Sequence, residues 1–204
     1  IDKTGKELTP CQYDAAGDFS EGLAAVVKNG KAGFIDTTGK EVIPCTYDEV
    51  HGFDQGLAGV EKGGKWGYID KTGEEVIPFQ YNEVGLFRQG LAAVKNSGKW
   101  GYIDKAGETV IDFQYDEAYI FSNGLAAVEQ GGKYGYVDKT GELVIPCTFN
   151  LAGYFSNGLA PVLKDKCGYI DTTGKIAIPC KYAYAAHFSE GFATVKAISD
   201  YNMW

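Results

Sequence analysis

The chain has 204 residues, 45% of them hydrophobic and 23% charged, with a formal net charge of −8; this composition matches an ordinary soluble globular protein and excludes a disordered one. Its apolar runs are only a few residues long, far short of the ~20 that a membrane-spanning helix needs, so no membrane insertion is expected. Acidic residues interleave with Lys along the whole length, and no Lys/Arg cluster could neutralise a row of phosphates, which sets nucleic acid aside as a partner.

Fourteen Tyr, eleven Phe and three Trp beside a single Met point to aromatic and β-branched packing, and 28 Gly imply many tight turns, so an all-β protein is expected. The chain opens at Ile1-Asp2 with neither a basic nor an apolar leader behind it, so any targeting signal is expected to have been removed or never included. Asp2 also heads a column, recurring as Asp36, Asp70, Asp104, Asp138 and Asp171 in steps of 34 residues four times and then 33. Gly5, Gly39, Gly73, Gly107, Gly141 and Gly174 keep step with it, as do Phe19, Phe53, Phe87, Phe121, Phe155 and Phe188. A fixed period of this size marks units that cannot bury an apolar face alone and must lean on their neighbours. A single repeat array over 1–204 is expected, with units 22–55, 56–89, 90–123, 124–157, 158–190 and a split unit made of 191–204 plus 1–21.

Within each copy the elements follow a constant order. A short apolar strand comes first, as LAAVKN at 91–96. The turn after it reads NGK, GGK, SGK and GGK in successive copies, and Asn-Gly or Gly-Gly there favours the primed turns that match strand twist. WGYID at 100–104 alternates as a second strand. D-K-T-G-E and its variants then suit a type I turn closed by Gly at positive φ. ETVIDFQY at 108–115, β-branched and aromatic, makes a third strand. Both connections are hairpins, so each unit of ~34 residues reads as a three-stranded antiparallel meander. Pro44, Pro78, Pro146 and Pro179 share a column in the third strand, where a missing N–H is tolerated only at an edge or a bulge, so that strand is expected outermost. The first strand, with its small LAAV, LAGV and LAPV, is expected innermost. The link YDEVHGFDQG at 47–56 reads as a turn or one irregular helical turn. At the far end Asn202-Met203-Trp204 takes the place of GKW while Ile1-Asp2 takes that of the ID in GYID, so both ends fall in one phase, as if cut from a longer array or meeting in space. Small inner residues and in-phase ends favour a propeller-like ring, with an open β superhelix or solenoid as the alternative.

A catalytic site needs unlike residues converging at one place and so breaks a repeat; little here does. His51 and His187 sit at different offsets from the Phe that follows each, without ligand spacing, and read as surface loop residues. No GxSxG, P-loop or CxxC occurs. Cys11, Cys45, Cys147 and Cys180 share a column with Phe79 and Phe113, an exchange that reads as free, buried thiols, with a Cys11–Cys45 or Cys147–Cys180 bridge as the other reading. Cys167, in a Trp column, reads the same way. The Asp column could be a calcium ladder, but Asp before a turn accepts hydrogen bonds from the turn's own N–H groups, and that account comes first. Trp66, Trp100, Tyr134 and Trp204, with Tyr13, Tyr47, Tyr81, Tyr115 and Tyr182 in a second column, read first as core and second as a stacking surface for sugars or a proline-rich segment.

The runs Lys65-Trp66-Gly67-Tyr68-Ile69-Asp70 and Lys99-Trp100-Gly101-Tyr102-Ile103-Asp104, with T-G, V-I-P and F-S-x-G-L-A around them, resemble those of the bacterial WG-repeat or KWG-repeat proteins, and the resemblance covers all 204 residues. Ala32, Tyr134 and Cys167 at the Trp position and Asp112 at the Pro position depart from the pattern. The resemblance implies a binding or scaffold module without an assigned reaction, in the cell envelope or secreted. The expected function is a non-enzymatic module presenting a repeated acidic and aromatic surface to a protein or glycan. Its candidate binding residues are Trp66, Trp100, Tyr134, Glu49, Glu83 and Glu117, because YDEVHGF and its equivalents vary at inner positions within a constant frame. No catalytic residue, cofactor or metal is expected. The alternatives are an enzyme with a central pocket acting on envelope polysaccharide, and a spacer or filament subunit that self-associates through its repeats.

Overall fold

The structure is a computed structural model that describes Thr4, Gly5, Glu7, Thr9 and residues 11–198. Ile1, Asp2 and the segment 202–204, on which the expectations about the chain ends rest, lie outside the described residues. Contacts divide the chain into two compact units, Ile1–Gly98 with Ile103–Glu108, and Lys99–Tyr102 with Thr109–Trp204.

The first unit opens with a sheet of β1 (Ala15–Ser20), β2 (Leu23–Lys28), β3 (Lys31–Asp36) and β4 (Glu41–Tyr47), hydrogen-bonded in that order, all antiparallel. The next sheet repeats the arrangement with β5 (Glu49–Val50), β6 (Leu57–Lys62), β7 (Lys65–Asp70) and β8 (Glu75–Tyr81). β9 (Glu83–Val84) then pairs with β10 (Leu91–Asn96). β11 (Lys99–Asp104) is shared between the units, divided after Tyr102, and β12 (Thr109–Tyr115) lies in the second. There β13 (Glu117–Ala118), β14 (Leu125–Gln130), β15 (Lys133–Asp138) and β16 (Leu143–Phe149) form a four-stranded sheet. The last sheet has five strands in sequence order, β17 (Leu151–Ala152), β18 (Leu159–Leu163), β19 (Cys167–Asp171), β20 (Ile176–Ala185) and β21 (Val195–Ala197).

Among the described residues the sheets therefore have four strands, and the last five, where three were expected. The link that reads as an irregular turn is extended: Glu49 and Val50 pair with Glu61 and Val60, and the flanking amides of Asp48 and His51 donate to the carbonyls of Glu61 (2.9 Å) and Gly59 (2.8 Å). A two-residue strand is too short to show alternation, so its sequence carries no strand signal. The LAGV strand β6 consequently has partners on both sides and is second in its sheet, whereas the proline-bearing β4, β8 and β16 are edges, as proline requires. Pro179, in β20, precedes the stretch Tyr182–Ala185 that pairs with β21.

The turns follow their chemistry. Asn29-Gly30, Gly63-Gly64, Ser97-Gly98 and Gly131-Gly132 all have positive φ at both residues, the primed hairpin geometry. Each Asp of GYID caps the next turn: Asp70 Oδ1 accepts the Thr72 amide (2.8 Å), the Thr72 hydroxyl (2.6 Å) and the Glu74 amide (3.0 Å), and Asp36, Asp138 and Asp171 repeat the pattern. The threonine hydroxyl first, and then the backbone amides, hold these carboxyls below the usual aspartate range. Hydrogen bonds to the turn thus give Asp36, Asp70, Asp104, Asp138 and Asp171 a structural role. Sequence reasoning missed a third tight turn. Glu21-Gly22, Gln55-Gly56, Gln89-Gly90, Asn123-Gly124 and Asn157-Gly158 also have positive φ at both residues and lead straight into the LAAV strands.

The glycine of Trp-Gly has a packing role. Opposite Trp66–Tyr68 the partner strand β8 runs from Tyr81 to Ile77, two residues more, so its backbone bulges over Gly67. A Cβ on Gly67 would lie 2.6 Å from the Ile77 carbonyl oxygen, and one on Gly33, Gly101, Gly135 or Gly168 would meet its own bulge as closely. The bulge around the Val-Ile-Pro run and the glycine are therefore one device.

Successive copies are tied by a recurring set of contacts. The Tyr68 hydroxyl donates to the Gly85 carbonyl (2.7 Å), and its ring meets Phe87 edge-on at 4.8 Å between centroids. In the second unit Tyr102 with Phe121, Tyr136 with Phe155 and Tyr169 with Phe188 repeat both contacts. Phe34, lacking a hydroxyl, keeps only the ring contact with Phe53. The lysine of K-W-G serves too, since Lys31 bonds Asp48, Lys99 bonds Asp116 and Lys133 bonds Asn150. These ties seal apolar clusters such as Leu23, Phe34, Ile43, Phe53, Ala58, Val60 and Ile69 in the first unit. Burial of each Leu, Ile, Val or Phe side chain among them contributes roughly 1.5–3 kcal/mol.

Candidate functional site

Two cavities in the first unit occupy equivalent places in successive copies. The second copy's cavity, about 270 Å³, is lined by Glu49, His51, Trp66, Glu83 and Val84. The first copy's, about 280 Å³, is lined by Ala15, Gly17, Ala32, Glu49 and Val50, each 34 residues earlier, together with Ala16, Ala25, Val27 and Asp48. The short strands β5 and β9 supply the walls. Because β5 is hydrogen-bonded to β6 on one side only, Glu49 reaches both cavities.

The structure brings three of the six candidate residues, Glu49, Trp66 and Glu83, around one cavity. Trp66 is 7% exposed, fixed by its cross-strand neighbours Glu61 and Tyr81, and its indole is covered by the His51 ring at 4.5 Å between centroids, tilted 34°. Glu83 pairs with Lys95 at 2.7 Å, directly across the β9–β10 ladder. Glu49 stands directly opposite Glu61, a like-charge pair that costs stability where opposite charges would contribute it. Trp100 is 8% exposed, and it packs as core. In the second unit Glu117 faces Glu129 across β13–β14, and Glu129 in turn faces Tyr134 across β14–β15, so this row matches Glu49, Glu61 and Trp66. Tyr134 is half-buried beside Tyr119, at 6.2 Å between centroids, and burial, then hydrogen bonding with Tyr119 and Glu129, raises its phenol well above the usual range.

Both histidines differ from the surface reading. His51 is half-buried on Trp66, and burial holds its imidazole below the usual range while Glu49 acts the other way. His187 is half-buried, stacked on Tyr154 at 3.6 Å with planes 7° apart, and its Nε2 is buried without a hydrogen-bond partner. Spacing failed here because the ring against His51 is Trp66 in β7 and the ring against His187 is Tyr154 in a loop, partners whose distance along the chain no motif fixes. The cysteines carry no disulfide; Cys45, Cys147, Cys167 and Cys180 are half-buried rather than fully buried, and Cys11 is exposed. Burial pushes the Cys45, Cys147 and Cys180 thiols up. Among the described residues, no three His, Cys, Asp or Glu side chains gather as a metal-holding group.

A family model described as WG containing repeat matches residues 1–31, 33–66, 66–100, 100–134, 134–166 and 168–197. No curated protein matches the chain. Among solved structures, Kluyveromyces lactis Hsv2 is similar at a TM-score of 0.53 and 11% identity, over 78% of this chain and 61% of that one. A form of it with loop 6CD replaced by a Gly-Ser linker gives 0.53 and 10% over 85% and 71%. A eukaryotic initiation factor gives 0.53 and 15% over 82% and 57%. This chain spans about three-fifths of the Hsv2 structure. At such identity the likeness is one of fold alone, to propeller-like all-β structures.

Proposed function

The chain belongs to the WG-containing repeat family, and from that premise we propose that it is a non-enzymatic binding module whose ligand, a protein or a glycan, docks at the cavities walled by the short strands. The observation that carries this reading is the cavity of Glu49, His51, Trp66, Glu83 and Val84, in which an aromatic wall meets acidic side chains. These residues sit in columns that change from copy to copy, while the lysine and glycine of K-W-G and the turn-capping aspartate of GYID do not. Variable chemistry on a constant frame is how binding scaffolds are built. The like-charge pairs Glu49/Glu61 and Glu117/Glu129 support it, because a position that costs stability is explained by what it recognises.

The enzyme reading would need two free carboxylates, roughly 5–9.5 Å apart for glycoside hydrolysis, and Glu83 is engaged by Lys95. The ring expected from the sequence stays part of the proposal, with an open superhelix as its rival, and small-angle scattering of the whole chain separates the two. Peptide and glycan arrays probed with the intact chain test the binding role. Signals that vanish in Trp66→Ala and Glu49→Lys, with far-UV circular dichroism unchanged, are expected; signals untouched by both substitutions would rule this cavity out.

A further inference from the structure

The first copy departs from the two that follow it at one place. Where Trp66 and Trp100 stand, the first has Ala32, and where His51 covers Trp66 it has Gly17, as later copies have Gly85 and Gly153. The first copy therefore has neither an indole nor a ring above its place. The backbone has not closed on the gap. Ala32 is itself buried, at 4% exposure, yet it lines an open cavity of about 280 Å³ with Ala16, Gly17, Ala25 and Val27. A Cβ on Gly17 would meet only Ala25, its Cβ at 3.8 Å and its carbonyl oxygen at 3.9 Å, so the backbone there is not closed over.

The cavity opens to solvent, and its apolar walls of Ala16, Gly17, Ala25, Val27 and Ala32 offer water few hydrogen-bond partners, so an apolar ring that displaces that water is favoured. The rim is of the opposite character. Asp48 and Glu49 stand there together. Asp48 is bonded by Lys31 and by the Gly63 amide (2.8 Å), while Glu49 faces the like charge of Glu61. A cation at this rim would relieve that repulsion, and a flat ring below it would restore the packing that tryptophan supplies in the next copy.

We propose that the cavity beside Ala32 is a binding site for one planar aromatic ring carrying a short amine arm, an arylalkylamine, with the ring in the place of the missing indole and the ammonium beside Glu49. The site shares Glu49 with the Trp66 cavity, but the walls that would hold the ring, Ala16, Gly17, Ala25, Val27 and Ala32, belong to this cavity and not to that one.

Isothermal titration calorimetry of the full chain with tryptamine, indole and butylamine tests it, with alanine- and valine-methyl NMR to locate the ligand. Tryptamine is expected to bind, indole to bind at least ~tenfold more weakly, and butylamine not to bind. Ala32→Trp rebuilds the side chain found in the neighbouring copies and is expected to abolish tryptamine binding. Val27→Phe, which narrows the same cavity from β2, serves if that variant misfolds. Glu49→Gln is expected to bring tryptamine down to the affinity of indole, and the methyl signals that move are expected to be those of Ala25, Val27 and Ala32. Tryptamine binding that survives both cavity-filling variants, equal affinities for indole and tryptamine, or no binding of tryptamine at all would each overturn the proposal.

Discussion

Replacing Gly67 with alanine puts the link between the Trp-Gly pair and the edge-strand bulge to a direct test. The new Cβ would sit 2.6 Å from the Ile77 carbonyl oxygen and 3.0 Å from both the Phe79 nitrogen and the Pro78 carbonyl carbon, all backbone atoms that no rotamer change can move. Ordinary contact begins at 3.4 Å, so β8 must retreat by about 0.8 Å at the bulge. Overpacking of this kind costs about 1–3 kcal/mol. For a chain of this size each kcal/mol lowers the melting temperature by ~2–4 °C. Gly59→Ala is the matched control. Its Cβ would meet only side chains, Val84 Cγ2 at 2.8 Å and His51 Nδ1 at 3.3 Å, and Ala25, Ala93 and Ala127 occupy the same column in other copies. Loss of that glycine also stiffens the unfolded chain, a gain of ~0.4–1 kcal/mol, so a near-neutral result is expected. Urea unfolding followed by far-UV circular dichroism gives both midpoints. Equal midpoints for Gly67→Ala and Gly59→Ala would refute the argument.

Phe34→Tyr supplies the hydroxyl that the first copy lacks; a new bond to the His51 carbonyl is expected to raise stability by ~0.5–1.5 kcal/mol, whereas Tyr136→Phe, which strands the Gly153 carbonyl, is expected to lower it by ~1–3 kcal/mol, both read from denaturant midpoints. The carboxyls of Asp36, Asp70, Asp138 and Asp171 lie below their unfolded values, so the unfolded chain takes up protons first as pH falls. Their stabilisation is complete above the unfolded aspartate pKa of ~3.9 and is lost as pH drops from there through the lowered native values. Midpoints measured from pH 7 downward should hold level and then fall, and the fall should shrink when these four are changed to asparagine. His51 is expected to titrate below the ordinary histidine range by NMR, and lower still in Glu49→Gln, because burial depresses it and Glu49 opposes that effect; an unchanged titration in the variant would remove Glu49 from its surroundings. Thiol labelling of the native chain should be fastest at exposed Cys11 and slow at Cys45, Cys147 and Cys180, with mass spectrometry giving the order.

Much of this fold was legible because its signals are local. Gly63-Gly64, the T-G turns and the Asp of GYID each carry their geometry in two or three residues, and an edge position follows from Pro78 alone. Glu49-Val50 was not legible, since two residues cannot display a period and their ladder partners lie twelve and ten residues away at Glu61 and Val60. For the site, the variable columns pointed to Glu49, Glu83 and Trp66, which do line one cavity. Trp100 is buried to the same degree, 8% exposed against 7% for Trp66, yet lines neither of the two cavities, and a sequence holds nothing that separates two indoles of one column. The ring partners of His51 and His187 were hidden for a different reason. Each lies on a neighbouring strand or loop, at a distance along the chain that no motif fixes.

The bonds from Lys31 to Asp48 and from Tyr68 to Gly85 both join residues 17 apart, half the spacing of the repeat. A genetic event that duplicates one whole stretch of 34 codons therefore delivers donor and acceptor together, and the added segment engages its predecessor without any compensating change. Lineages carrying such genes can lengthen or shorten by whole segments while each inserted segment's lining residues drift on their own, so that new specificity arises by duplication followed by divergence.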